Sequence, residues 1–220
     1  MPTISTKSKQ SCAMEKIHNK IVDYLICYSP FLKDIGLFHG KMGVIVALAT
    51  YAKLYHDESV KDFVWELYEG MVNNISPNMS IGIESGLAGI GYGITLLNQY
   101  GFVDCNLNEI LQGIDMKIME HDPRRIIDTT FHRGLYGLLC YIALREKNGD
   151  CILTFDNQYI QELRQQWYKQ TCKNSFHAVE IMNFIHEPEF DINEYVDNPL
   201  SLDRGSAYYI LQDSMRYIIQ

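Results

Sequence analysis

The 220-residue chain has no run of lysines or arginines, and its 27 acidic residues outnumber 19 basic ones, for a formal charge of −8. Neutralising a phosphate backbone or an anionic leaflet takes a positive patch, so nucleic acid and membrane surfaces are excluded as expected partners. A long apolar run is also missing: the longest uncharged apolar stretch, residues 86–97, is well short of the ~20 residues that span a bilayer. The first ten residues carry Lys7 and Lys9 among Ser, Thr and Pro, but no apolar segment ending in a small-residue cleavage site. A cytoplasmic location is therefore expected. Cysteines stand at 12, 27, 105, 140, 151 and 172, with no Cys-x-x-Cys and no Cys/His pair at closed zinc-site spacing. Reduced, mostly structural thiols are expected. No long period-two alternation appears, so strands are short and peripheral if present.

What the chain does have is a repeat. His39-Gly40-Lys41-Met42-Gly43, Ser85-Gly86-Leu87-Ala88-Gly89 and Arg133-Gly134-Leu135-Tyr136-Gly137 align on glycine, with first-glycine steps of 46 and 48 residues. A fourth copy, Arg204-Gly205-Ser206-Ala207-Tyr208, follows after 71 residues, with tyrosine in the second glycine slot. Each copy opens a segment apolar on all sides, the pattern of a helix buried over most of its circumference. Glycine costs about 1 kcal/mol relative to alanine in a helix interior, so its repeated use implies a repeated need for close backbone approach.

Between these segments lie stripes with one apolar face. Val60, Phe63, Val64, Leu67 and Met71 form one, opposite Lys61, Asp62, Glu66 and Glu69. Leu107, Ile110, Leu111, Ile114 and Ile118 form another, behind the box-like cap Asn106-Leu107-Asn108-Glu109. Ile160, Leu163 and Trp167 form a third, and Met14, Ile17, Ile21, Tyr24 or Leu25, and Tyr28 a fourth. The order is outer helix then inner helix, four times over, in an all-α single domain spanning 1–220. Residues 1–11 are expected to be disordered, and 173–202 to be an inserted loop with a short helix over 176–185. Its length makes the insert a candidate lid or docking element.

Tandem hairpins whose inner helices open on Gly-Leu-Ala-Gly-Ile-Gly and His-Gly-x-x-Gly resemble the lanthionine synthetase C-like family, which includes the lantibiotic cyclases. The resemblance is carried by residues 36–44, 85–93 and 131–138. It implies an α/α toroid, an inner ring of helices inside an outer ring, with the site at the mouth where the inner helices begin, and a role in peptide modification. Complete toroids of the family have more than four hairpins, so a partial toroid, a shortened barrel or a ring completed in a homodimer is expected here. The cyclases also hold a catalytic zinc through a Trp-Cys-x-Gly-like and a Cys-His-Gly segment. Neither segment is present, and in the nearest match, Phe38-His39-Gly40, phenylalanine stands in the cysteine slot.

In such an arc the residues just ahead of each Gly-x-x-Gly converge: His39, Glu84 with Ser85, His132 with Arg133, and Asp203 with Arg204. Glu84 and Asp203 are the candidate general acid and base. His39, Ser85, His132, Arg133 and Arg204 are candidate ligand-binding residues beside helix N-termini. No metal or other cofactor is expected; the alternative is zinc on His39 and His132, with Cys140 or an acidic neighbour. The expected partner is a peptide substrate or a peptide-modifying enzyme, and the 15 tyrosines suit an aromatic groove. The competing reading is an enzyme, a divergent cyclase or a carboxylate-based hydrolase working at the same mouth.

Overall fold

The computed structural model describes residues 4–76, 78–148, 155–173 and 175–218. Among them are eight α-helices and no strand: α1 (Ile4–Tyr28), α2 (Lys41–Tyr55), α3 (Glu58–Val72), α4 (Leu87–Gln99), α5 (Leu107–Met119), α6 (Leu135–Asn148), α7 (Asn157–Thr171) and α8 (Ser206–Ile218). The apolar segments behind the glycines are α2, α4, α6 and α8, and in α2 and α4 burial extends around the whole helix over most of its length. The striped segments are α1, α3, α5 and α7. Asp57, Asn106 and Asp156 cap the last three by accepting hydrogen bonds from backbone N–H groups of the first turn. At the predicted box, Asn106 takes the Asn108 N–H while its amide donates to the Glu109 carboxylate at 3.2 Å.

Two stripe members point outward. Ile110 and Tyr28 are exposed although their spacing placed them inward, because the buried face of each helix is narrower than its run of apolar residues. Helix α1 begins at Ile4 and takes in residues 4–11; residues 1–3 lie outside the described residues. No proline or glycine follows Pro2 in that stretch to stop it.

The inner helices pack in the order α6, α4, α2, α8, and α3, α5 and α7 lie on α2, α4 and α6. The remaining outer helix, α1, packs on α8. Each inner helix is thus covered by the outer helix that follows it, and the first helix of the chain covers the last. The outer-then-inner order along the sequence holds, but the spatial pairing is shifted by one helix. Across the join His18 Nδ1 lies 3.2 Å from Asp213 Oδ2.

The inserted segment contains two 3₁₀ turns, Ile181–Phe184 and Ile192–Glu194, in place of the α-helix expected over 176–185. Tyrosine hydroxyls tie down its backbone. Tyr136 donates to the His177 carbonyl at 3.1 Å and Tyr209 to the Phe190 carbonyl at 2.5 Å, while Tyr92 and Tyr24 accept the N–H groups of Ile181 and Asp197. Those four tyrosines come from α6, α8, α4 and α1. Tertiary partners satisfy backbone groups that a helix would otherwise pair internally.

One charged network lies in the core. Arg145 on α6 is fully buried and donates at 2.9 Å to Asp115 on α5, which also accepts the Tyr141 hydroxyl at 2.6 Å. Removing one member of such a pair costs about 3–5 kcal/mol, because the other charge stays buried without compensation.

Candidate functional site

The repeat glycines explain how the mouth is built. At the start of each inner helix the first free N–H turns back onto a carbonyl of its own feeding loop: Lys41 to Asp34, Leu87 to Ser80, Leu135 to Asp128 and Ser206 to Pro199, at 2.7 to 2.9 Å. These helix starts are thereby occupied by backbone rather than by side-chain carboxylates. A Cβ at Gly40, Gly86, Gly134 or Gly205 would overlap that loop backbone. At the second slot, a Cβ on Gly43, Gly89 or Gly137 would overlap the carbonyl oxygen of Leu37, Ile83 or Phe131 respectively. The backbone whose approach demands glycine is the loop's own.

The loops are also stitched to one another. Leu37 and Phe38 both donate to the Glu84 carbonyl, Ile83 and Glu84 to the His132 carbonyl, and Leu202 and Asp203 to the Phe38 carbonyl, all at 2.9 to 3.1 Å. The rule is that two consecutive N–H groups in one loop share a carbonyl in the next, and it links the fourth loop to the first, the first to the second and the second to the third. The residues ahead of the glycines are therefore held side by side.

Three of the expected residues meet on one carboxylate. Glu84 is 3.4 Å from His39 Nε2 through one oxygen and 3.1 Å from Arg133 Nε through the other. Its side chain is recessed, 19 % exposed, below His39 at 44 % and Arg133 at 79 %. Asp203 is more deeply set and accepts both the backbone N–H of His186 at 2.6 Å and a hydrogen bond with its ring Nδ1 at 2.9 Å. Arg204 has a left-handed backbone, φ 55°, uncommon outside glycine. Its N–H donates to the His186 carbonyl, and its exposed guanidinium reaches Glu189 at 3.9 Å. Ser85 is exposed beside Glu84. A cleft of about 310 Å³ lies next to His39, lined by Leu32, Pro199 and Leu200 and flanked by Asp203 and Arg204.

His132 takes a different place from the one expected. It packs edge-on against Phe38, at 5.2 Å between centroids, and against Phe184 of the insert, which itself stacks on Phe131 at 3.7 Å. Among the described residues no group of three His, Cys, Asp or Glu side chains is placed to hold a metal ion. Cys140 sits farther down α6, where burial pushes its thiol up to about 11. Cys27, Cys105, Cys140 and Cys172 are free thiols, Cys27 exposed on α1 and Cys172 exposed just past the end of α7; Cys151 and the side chain of Cys12 lie outside the described residues.

The structure makes His186 of the insert the partner of Asp203, a role that no motif in the sequence marks. Its signal was faint, since a loop has no period from which to infer where a side chain lands. The family model described as lanthionine synthetase C-like protein matches residues 5–127, more than half of the chain. That span contains His39, Glu84 and Ser85, whereas His132, Arg133, Asp203 and Arg204 follow it. No curated protein and no solved structure matches the chain.

Proposed function

The chain belongs to the lanthionine synthetase C-like family, and on that premise we propose that it acts in peptide modification by gripping an acidic peptide segment, on a substrate or on a partner enzyme, at the mouth. Zinc-dependent thioether cyclisation is not part of this reading. The observation that carries it is the convergence of His39, Glu84 and Arg133, from three successive repeats, on a single carboxylate. With Arg204 and His186 alongside, four cationic or protonatable side chains stand more exposed than Glu84 and Asp203, which lie recessed beneath them, and the one exposed carboxylate paired at this rim is Glu189, 3.9 Å from Arg204. Exposed guanidinium groups with bidentate geometry suit carboxylates and peptide carbonyls. The chain's net negative charge repels an acidic peptide everywhere else, which concentrates binding at this rim.

The same contacts weigh against catalysis by Glu84 and Asp203. A general base needs a lone pair free for the substrate, and here Glu84 is shared between the His39 ring and the Arg133 guanidinium and Asp203 between two nitrogens of His186. A cyclase requires a metal-activated thiol as well, and the slot that would carry a ligand in a Cys-His-Gly segment holds Phe38, fully buried and packed on His132.

A synthetic acidic peptide carrying one dehydroalanine and one cysteine tests the reading. Incubated with the protein and equimolar zinc, it is expected to co-elute with the protein on gel filtration and to keep its free thiol, measured by alkylation and mass spectrometry. Loss of the thiol without loss of peptide mass, the signature of thioether closure, would establish the cyclase reading instead.

A further inference from the structure

The packing order α6, α4, α2, α8 leaves a seam between α6 and α8, where the insert lies. At the mouth end the insert fills that seam through Phe184 and His186. Toward the C-terminal ends of the inner helices it leaves a cavity of about 500 Å³, walled by α4, α6, residues 178–182 and Met215 of α8. This is within the ~300–1,000 Å³ typical of small-molecule sites, and it lies at the opposite end of the inner helices from the Gly-x-x-Gly loops.

Its lining is graded from inside to outside. The floor is apolar and aromatic: Tyr92, Leu96, Cys140 and Ile181 are buried. Higher up stands Tyr100, whose phenol burial pushes up to about 12, so that it remains a neutral donor. Lys147 and Glu180 are exposed at the rim. Glu180 lines the cavity with Tyr92 and Tyr100, and its charge lies within electrostatic reach of both phenols. Among the described residues neither Lys147 nor Glu180 forms an ion pair, with the other or with any third group.

One cation and one anion, neither in an ion pair among the described residues, over an apolar, phenol-bearing floor complement a ligand carrying both charges on an apolar body. We propose that this cavity binds a small zwitterion with aromatic or branched apolar side chains, about the size of a dipeptide. Its ammonium group is held by Glu180 beside two electron-rich phenol rings, its carboxylate by Lys147, and its side chain enters between Tyr92, Leu96 and Ile181. The inference does not depend on peptide binding at the mouth.

Isothermal titration with the dipeptide phenylalanyl-leucine is the test, run beside its N-acetyl derivative and its C-terminal amide. Saturable one-to-one binding is expected, about tenfold weaker for either blocked form. Glu180→Gln should abolish the difference between free and N-acetyl dipeptide, and Lys147→Met the difference between acid and amide. Ala143→Phe, which places a ring in the cavity, should abolish binding while Arg133→Ala at the mouth leaves it unchanged. Absence of saturable binding to the wild type overturns the proposal. So does equal binding of free and blocked dipeptides, or undiminished binding by an Ala143→Phe variant that melts like the wild type. Should Ala143→Phe fail to fold, the Glu180→Gln comparison decides, because it reads a difference between two ligands on one protein.

Discussion

Glycine has two different jobs in this chain, and single substitutions separate them. Gly89 stands in the second slot of its motif, where a methyl group would drive into the Ile83 carbonyl and the Leu37 side chain. Gly70, in the last turn of α3, has nothing within 4 Å of an added Cβ. Gly89→Ala is expected to destabilise the protein by at least 2 kcal/mol through overpacking, and Gly70→Ala to stabilise it by about 0.5–1 kcal/mol through helix propensity alone. Denaturant midpoints check both, and equal shifts in the two variants would remove the special role given to the motif. The motif glycines were legible in the sequence because their spacing repeats. Asp115 and Arg145 were less so: Asp115 lies one helical turn from Leu111 on the buried stripe of α5, and an acid there is a signal, but its partner stands 30 residues on in an otherwise apolar helix.

Among the helices, the α1–α8 join is the contact by which the first outer helix covers the last inner one, and it carries a titratable group. His18 is buried, and desolvation lowers its pKa below the ordinary 6.5, the nearby Asp213 only partly opposing this. The folded state therefore binds the proton less readily than the unfolded state. Stability from this group is fully present above about pH 6.5 and is lost as pH falls from there toward the folded pKa. Between pH 7.5 and 5.5 the melting temperature should drop, and in His18→Gln this part of the drop should vanish; an unchanged pH profile in the variant would show that the join does not titrate. That α1 would cover α8 could not be read from the sequence. An amphipathic stripe says that a helix needs a neighbour but not which one, and the spacing suggested the adjacent α2. The insert was opaque for a related reason. Its path is set by four tyrosine hydroxyls distributed over four helices, and hydroxyl-to-backbone contacts leave no periodic mark.

At the scale of the whole molecule, the four inner helices are tied to one another at the mouth by their feeding loops. The loops ahead of α2, α4, α6 and α8 are fixed by backbone hydrogen bonds that follow one rule, so the mouth is preorganised before any ligand arrives. The convergence of residues ahead of the glycines was legible, and it is realised for His39, Glu84 and Arg133. His132 departs from it because an aromatic cluster with Phe38, Phe131 and Phe184 holds its ring among hydrophobic neighbours. The central claim is that the exposed cations of this mouth grip an acidic peptide, and fluorescence anisotropy of a fluorescein-labelled acidic peptide titrated with the protein tests it most directly. Saturable binding is predicted, weakening with added salt and reduced about tenfold or more in the Arg133→Ala/Arg204→Ala double variant. Binding of equal strength in wild type and double variant, or none in either, would contradict it.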